Sequence, residues 1–191
     1  MKNNIIKYAT IATLAAVSFT ACKKDEVATP TPVEQELITT VKLNVTNSEG
    51  FNKTFVYKVE NGFGSTSQGT VIKDDIVLAP GKQYDVEVTL LNEKKTPAED
   101  ITEEVKNESN DHLFLFQSAP VTGAGSISFS DGNKDGNGNP LNQKIKFTTA
   151  TAGTGALTVT LKHEPTNKAA TTPDAAGGET DVEVIFNVKL Q

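Results

Sequence analysis

Asp181-Val182-Glu183-Val184-Ile185-Phe186-Asn187-Val188-Lys189-Leu190 is the stretch that decides the fold. Val182, Val184, Phe186, Val188 and Leu190 fall on one side of an extended chain. Asp181, Glu183, Asn187 and Lys189 fall on the other, and Ile185 is the one apolar break in that outer face. Apolar residues at period two, with β-branched side chains enriched, predict a strand with one face buried and one wet.

The same alternation recurs upstream. Val41, Leu43 and Val45 share a face, as do Phe55, Tyr57 and Val59, then Tyr84, Val86, Val88 and Leu90, then Leu157, Val159 and Leu161. Turn-forming residues separate these runs at Asn47 to Gly50, Asn61-Gly62, Pro80-Gly81, Asp131 to Pro140 and Gly153 to Gly155. Many short strands with such punctuation predict an all-β domain, a single antiparallel immunoglobulin-like β-sandwich. Phe114, Phe116, Phe129 and Phe147 read as core residues. The acid-rich stretch 97–110 reads as one short helix or an irregular loop.

The N-terminal residues read as an address rather than as fold. Lys2 and Lys7 precede an apolar run from Ile11 to Phe19, and small residues lead to Cys22, the only cysteine. This is the plan of a lipoprotein signal peptide over residues 1–21, with Cys22 as the lipidated residue. The apolar run is too short to span a bilayer, which takes about 20 residues. Residues 22–35, rich in charge, Thr and Pro, read as a lipidated flexible tether. Residues 36–191 are left as the β-sandwich domain. Lys23-Lys24-Asp25-Glu26 resembles the export signal of surface lipoproteins in Bacteroidota. The expected location is therefore the outer membrane, lipid-anchored and cell-surface exposed.

Loss of Lys2 and Lys7 with the signal moves the net charge from −6 to −8, and the chain has neither Arg nor Trp. An acidic chain without the Arg fork is unsuited to nucleic acid, whose phosphates demand positive charge. The membrane is then a partner through lipid alone.

Two histidines carry the candidate chemistry. His112 follows Asp111 and begins His-Leu-Phe-Leu-Phe; His163 ends an alternating strand and precedes Glu164. If residues 156–163 and 180–190 pair as a hairpin, His163 comes close to Glu179 or Asp181. If the strand from His112 enters the sandwich at the same end, the two rings converge to within about 5 Å, as two ligands of one ion must. His112, His163, Asp111, Glu164, Glu179 and Asp181 are therefore the candidate metal ligands, with zinc the expected ion. The bland alternative is a pair of strand-end histidines with ordinary carboxylate neighbours.

Asp131, Asn133, Asp135 and Asn137, with Gly136 at the sharp turn, match the front half of a calcium loop. The closing Glu is missing, since Asn142 stands in its place, so only weak calcium binding is expected there. A Gly/Asn/Asp turn accounts equally for this composition. No nucleophile elbow and no phosphate-cradling glycine loop is present, so the chain does not read as an enzyme.

Several segments together carry a wider resemblance: Ala79-Pro80-Gly81-Lys82-Gln83-Tyr84 to Leu91-Asn92-Glu93, the acidic stretch to Asp111-His112, Gly136 to Leu141, Leu161 to Pro165, and Gly178 to Asp181. The chain resembles a family of small Bacteroidota outer-membrane lipoproteins, sometimes labelled type 1 periplasmic binding fold superfamily proteins. That resemblance implies a place beside a TonB-dependent outer-membrane receptor and a role in metal homeostasis. The label itself implies a two-lobed α/β fold, whereas the strand pattern implies all-β. The expectation from the whole sequence is a lipoprotein that binds a transition metal ion in association with a transporter. Its alternative is a non-catalytic structural or interaction module.

Overall fold

The computed structural model describes residues 36–191. The signal peptide, Cys22 and the tether expected over 1–35 lie outside them. Among the described residues, no helix is long and apolar enough to cross a membrane.

Two β-sheets face each other. The larger is built from β1 (Thr40–Thr46), β2 (Asn52–Val59), β3 (Val71–Lys73), β5 (Gln83–Asn92), β6 (Glu99–Asp100), β8 (Ile127–Ser130) and β9 (Lys144–Thr149). Its order is β3-β2-β1-β5-β9-β8, with β6 paired to β5. The smaller holds β4 (Ile76–Leu78), β7 (His112–Ala119), β10 (Gly153–His163) and β11 (Glu179–Leu190) in the order β4-β11-β10-β7. All pairings are antiparallel except β4 with β11, which is parallel. That exception arises at a corner. The residues between β3 and β4 carry the chain from the edge of one sheet to the edge of the other. Asp74 holds the corner by exchanging hydrogen bonds with Val56, amide to carbonyl and amide to carboxylate, at 2.9 Å each.

The period-two pattern becomes the core. Val182, Val184, Phe186, Val188 and Leu190 of β11 are buried, while Ile185 on the outer face is half exposed. Burial of each such aliphatic or aromatic side chain contributes about 1.5–3 kcal/mol before entropy is counted. Rings lock the sheets together. Phe186 of β11 meets Tyr57 of β2 edge-on at 5.7 Å, and Phe116 of β7 meets Phe147 of β9 at 5.5 Å.

Gly153 to Gly155 do not form the expected turn but begin β10. Their small size serves close backbone approach. A Cβ on Gly155 would stand 2.7 Å from the carbonyl oxygens of Ala119 and Gly125.

The acidic stretch does hold a short helix, α1 (Ile101–Asn107), followed by a 3₁₀ turn at Ser109–Asp111. Asp100 caps it by accepting from the Thr102 amide at 2.9 Å. Ile101 and Val105, one turn apart, bury their side chains in the core. Thr102 binds both the amide and the carbonyl of Leu90, which pins the helix to β5. Between β10 and β11, residues 164–178 form a long loop containing α2 (Pro173–Ala176). The loop folds over the outer face of β7, where Ala170 and Ala176 pack on Leu113 and Leu115.

Candidate metal centre

Three neighbouring strands bring three side chains to one end of the smaller sheet. His112 opens β7, His163 closes β10, and the two are direct cross-strand partners. His112 is in phase with the inward residues Phe114 and Phe116, and His163 with Val159 and Leu161. Alternation along each strand therefore turns both imidazoles to the same face. The rings stack with centroids 4.7 Å apart and planes 9° apart. His112 is buried, and His163 keeps about a fifth of its side chain exposed.

Asp181 reaches them through a break in the ladder. Leu161 pairs with Val182, but Lys162 pairs with Thr180, so Asp181 is an extra residue in β11. In an unbroken strand it would face away from its buried neighbour Val182. A β-bulge re-aims the inserted side chain. The Asp181 carboxylate consequently lies 3.8 Å from His112 Nε2 and 3.9 Å from His163 Nδ1, and its side chain is nearly buried. One ligating atom from each of the three residues lies within 4.8 Å of the other two.

The backbone selects which nitrogen His112 offers. Its Nδ1 is 3.0 Å from the Glu108 carbonyl oxygen, which only accepts. Nδ1 therefore carries a hydrogen, and Nε2 is the nitrogen turned toward Asp181. A carbonyl behind a ligating imidazole is the usual outer support of a metal-binding histidine.

The stacked rings would have to rearrange to share an ion. An imidazole lone pair lies in its ring plane, so two parallel rings cannot both point at one ion. At least one ring must turn. Two ligands about 2 Å from a tetrahedral ion stand about 3.3 Å apart. The carboxylate–imidazole distances must then close by about 0.5 Å. Both are side-chain adjustments, and the ligand set already holds two nitrogens and a carboxylate.

Acids surround the group. Burial pushes the Glu36 carboxyl up to about 8, helped by the charge and hydrogen bond of Glu104 and by the charges of Glu108 and Asp181. Glu36 therefore stands within electrostatic reach of Asp181. Nothing in the local sequence around residue 36 foretells this placement, because it depends on contacts with α1 and β11.

Of the carboxylates named from sequence, only Asp181 joins the histidines. Asp111, Glu164 and Glu179 are exposed. The Glu164 amide donates to the Asp111 carbonyl at 2.7 Å, so these two fasten backbone rather than present side chains.

The expected calcium loop is organised by protein donors instead. Asn133 Oδ1 accepts from the Lys144 amide at 2.8 Å, and Asp131 pairs with Lys146 at 3.4 Å. Asp135 accepts from the amides of Asn137 and Asn139 and from the Lys168 ammonium at 2.6 Å. Among the described residues, Asn137 contributes its amide to this network. The sequence pattern showed the oxygens but not the lysine that reaches them from a distant loop.

A hollow of about 290 Å³ lies on the larger sheet, lined by residues such as Asp85, Glu87, Lys144 and Lys146. Two of its acids have lysine partners, Glu87 3.1 Å from Lys144 and Asp131 3.4 Å from Lys146. No protein-family model matches the chain, and neither a curated protein nor a solved structure matches it.

Proposed function

We propose that this domain captures a divalent transition metal ion, zinc in the first instance, on His112, His163 and Asp181. The observation that carries the reading is that one ligand atom from each of two imidazoles and a carboxylate lies within 4.8 Å of the others, with Asp181 brought there by a bulge in β11. Two nitrogens and one oxygen suit zinc and leave a fourth position open to water or to an acceptor's ligand. The same donors hold copper(II) more tightly by the general order of divalent affinities. Glu104 and Glu108 add negative charge that draws cations toward the site.

In this reading the protein is an outer-membrane lipoprotein anchored through Cys22. A TonB-dependent receptor is the proposed recipient.

Calorimetric titration of residues 31–191 with Zn²⁺, Cu²⁺ and Ca²⁺ tests the metal reading. One equivalent of zinc or copper, lost in a His112→Ala/His163→Ala double variant, supports it. No heat from either transition metal refutes it. Mass spectrometry of the protein from bacterial membranes tests the anchor, which requires acyl mass on Cys22.

A second reading, a protein-interaction module, is favoured by one feature. Edge strand β3 exposes Val71 and Ile72, at 41% and 57%. Such an edge can pair with a strand from a partner. Co-purification of a partner from the native membrane that is lost in Ile72→Lys would support this reading over metal capture.

A further inference from the structure

Lys168 lies in the 164–178 loop, far in sequence from the residues it binds. Its ammonium is 2.6 Å from Asp135 Oδ2, 2.6 Å from the Ser109 carbonyl oxygen and 3.2 Å from that of Asn110. Three acceptors use all three of its hydrogens. The Asp135 side chain has no exposed surface and that of Lys168 is 11% exposed. The other Asp135 oxygen takes the amides of Asn137 and Asn139 at 2.9 and 2.8 Å. A carboxylate and two carbonyls around one positive charge form the kind of oxygen cradle that ordinarily holds a metal cation. Here the cation is part of the chain.

The three segments joined in this way flank the histidines. Ser109 and Asn110 belong to the 3₁₀ turn that runs directly into His112. Lys168 follows His163 by five residues, on the loop that leaves β10. The Asp135 loop is fixed in turn to β7, since the Phe114 amide donates to the Leu141 carbonyl at 2.8 Å and Asn142 Nδ2 donates to the Phe114 carbonyl at 3.1 Å. The Glu164–Asp111 backbone bond is a second tie between the same strand ends. Without the ammonium, a buried carboxylate would face two carbonyl oxygens with nothing positive between them, and the segments would separate.

We infer that Lys168 is the positioning residue of the His112–His163 pair, an internal cation whose contacts with Asp135, Ser109 and Asn110 fix the backbone from which both imidazoles project. It touches neither ring and acts through the turn before one and the loop after the other. The inference rests on the metal reading for its effect on affinity, but not for its effect on the rings.

The test uses Lys168→Ala and a double variant, Lys168→Met/Asp135→Asn, which removes both charges while keeping the shape of the pair. Histidine ring resonances of the metal-free protein are followed by NMR, and zinc affinity by calorimetry. In both variants the His112 and His163 ring signals are expected to shift or split while the amides of β1 and β2 stay in place. Zinc affinity is expected to fall about tenfold. Propylammonium at tens of millimolar, which replaces the missing side chain of Lys168→Ala, is expected to restore both readouts. Wild-type ring signals in both variants would overturn the inference. If the wild-type chain binds no zinc, the metal reading fails and the ring signals alone decide the role of Lys168. Should Lys168→Ala fail to fold, the double variant decides it.

Discussion

The imidazoles of His112 and His163 lie parallel, 4.7 Å apart, on adjacent strands of the smaller sheet. Their stacking follows from register: both stand at the same rung of the ladder and on the same face. An aromatic pair at this distance contributes about 0.5–1.5 kcal/mol beyond area burial. Metal binding must give up that contact, because at least one ring has to turn. Zinc is therefore expected to move the ring-current-shifted resonances of both histidines. His163, the more exposed ring, is expected to turn further, as nuclear Overhauser contacts between the rings would show.

Asp181 supplies the third ligand, and its aim depends on the bulge. Asp181→Ala is expected to weaken zinc binding at least tenfold, or about 1.4 kcal/mol. Glu179→Ala, at the exposed residue opposite His163, is expected to leave the affinity within about twofold, a change below about 0.5 kcal/mol. Calorimetry on the two variants makes the comparison, and equal losses would place the ion elsewhere.

The Glu36 carboxyl makes stability depend on pH. Its folded value, about 8, lies above the ordinary 4.5, so the folded state binds the extra proton between those values. Stability is then full below about pH 4.5, declines as pH rises toward 8, and levels off beyond. Urea unfolding midpoints across that range measure the slope. Glu36→Gln is expected to flatten it, because the amide keeps a hydrogen-bonding shape and cannot ionise.

Asp135 carries the opposite sign. Burial alone would raise it, but the Lys168 ammonium and the amides of Asn139 and Asn137 outweigh burial and hold the carboxyl below its ordinary value. Its contribution is present above the ordinary carboxylate range and is lost as pH falls through the depressed folded value. Calcium is expected to change the thermal midpoint little at millimolar concentration, since Lys168 already neutralises the loop. A large calcium-dependent rise would show that the loop takes a metal after all.

The core contact between sheets sets the largest single cost. Phe186→Ala removes a fully buried ring that meets Tyr57 across the sandwich. It is expected to cost about 3–5 kcal/mol, read from chemical denaturation. Ile185→Thr, one residue away on the outer face, is expected to change stability by no more than about 0.5 kcal/mol.

The sandwich and the inward faces of β1, β2, β5, β10 and β11 were legible in the amino-acid sequence. Alternation between Val182 and Leu190 is a local property, because each residue's side is fixed by its neighbour's. It also put His163 in phase with Leu161, which placed its ring on the inner side. That His112 meets it is a matter of tertiary pairing, since two distant strands must lie in one register. Asp181 was legible as a carboxylate near His163. Its direction was not, because a bulge between Leu161 and Lys162 exists only when two strands are laid side by side. Glu36 and Lys168 gave no sign in their own segments. Their surroundings are made by α1, by the 3₁₀ turn and by the Asp135 loop, and electrostatic partners of this kind are chosen by proximity in space, which no local pattern encodes.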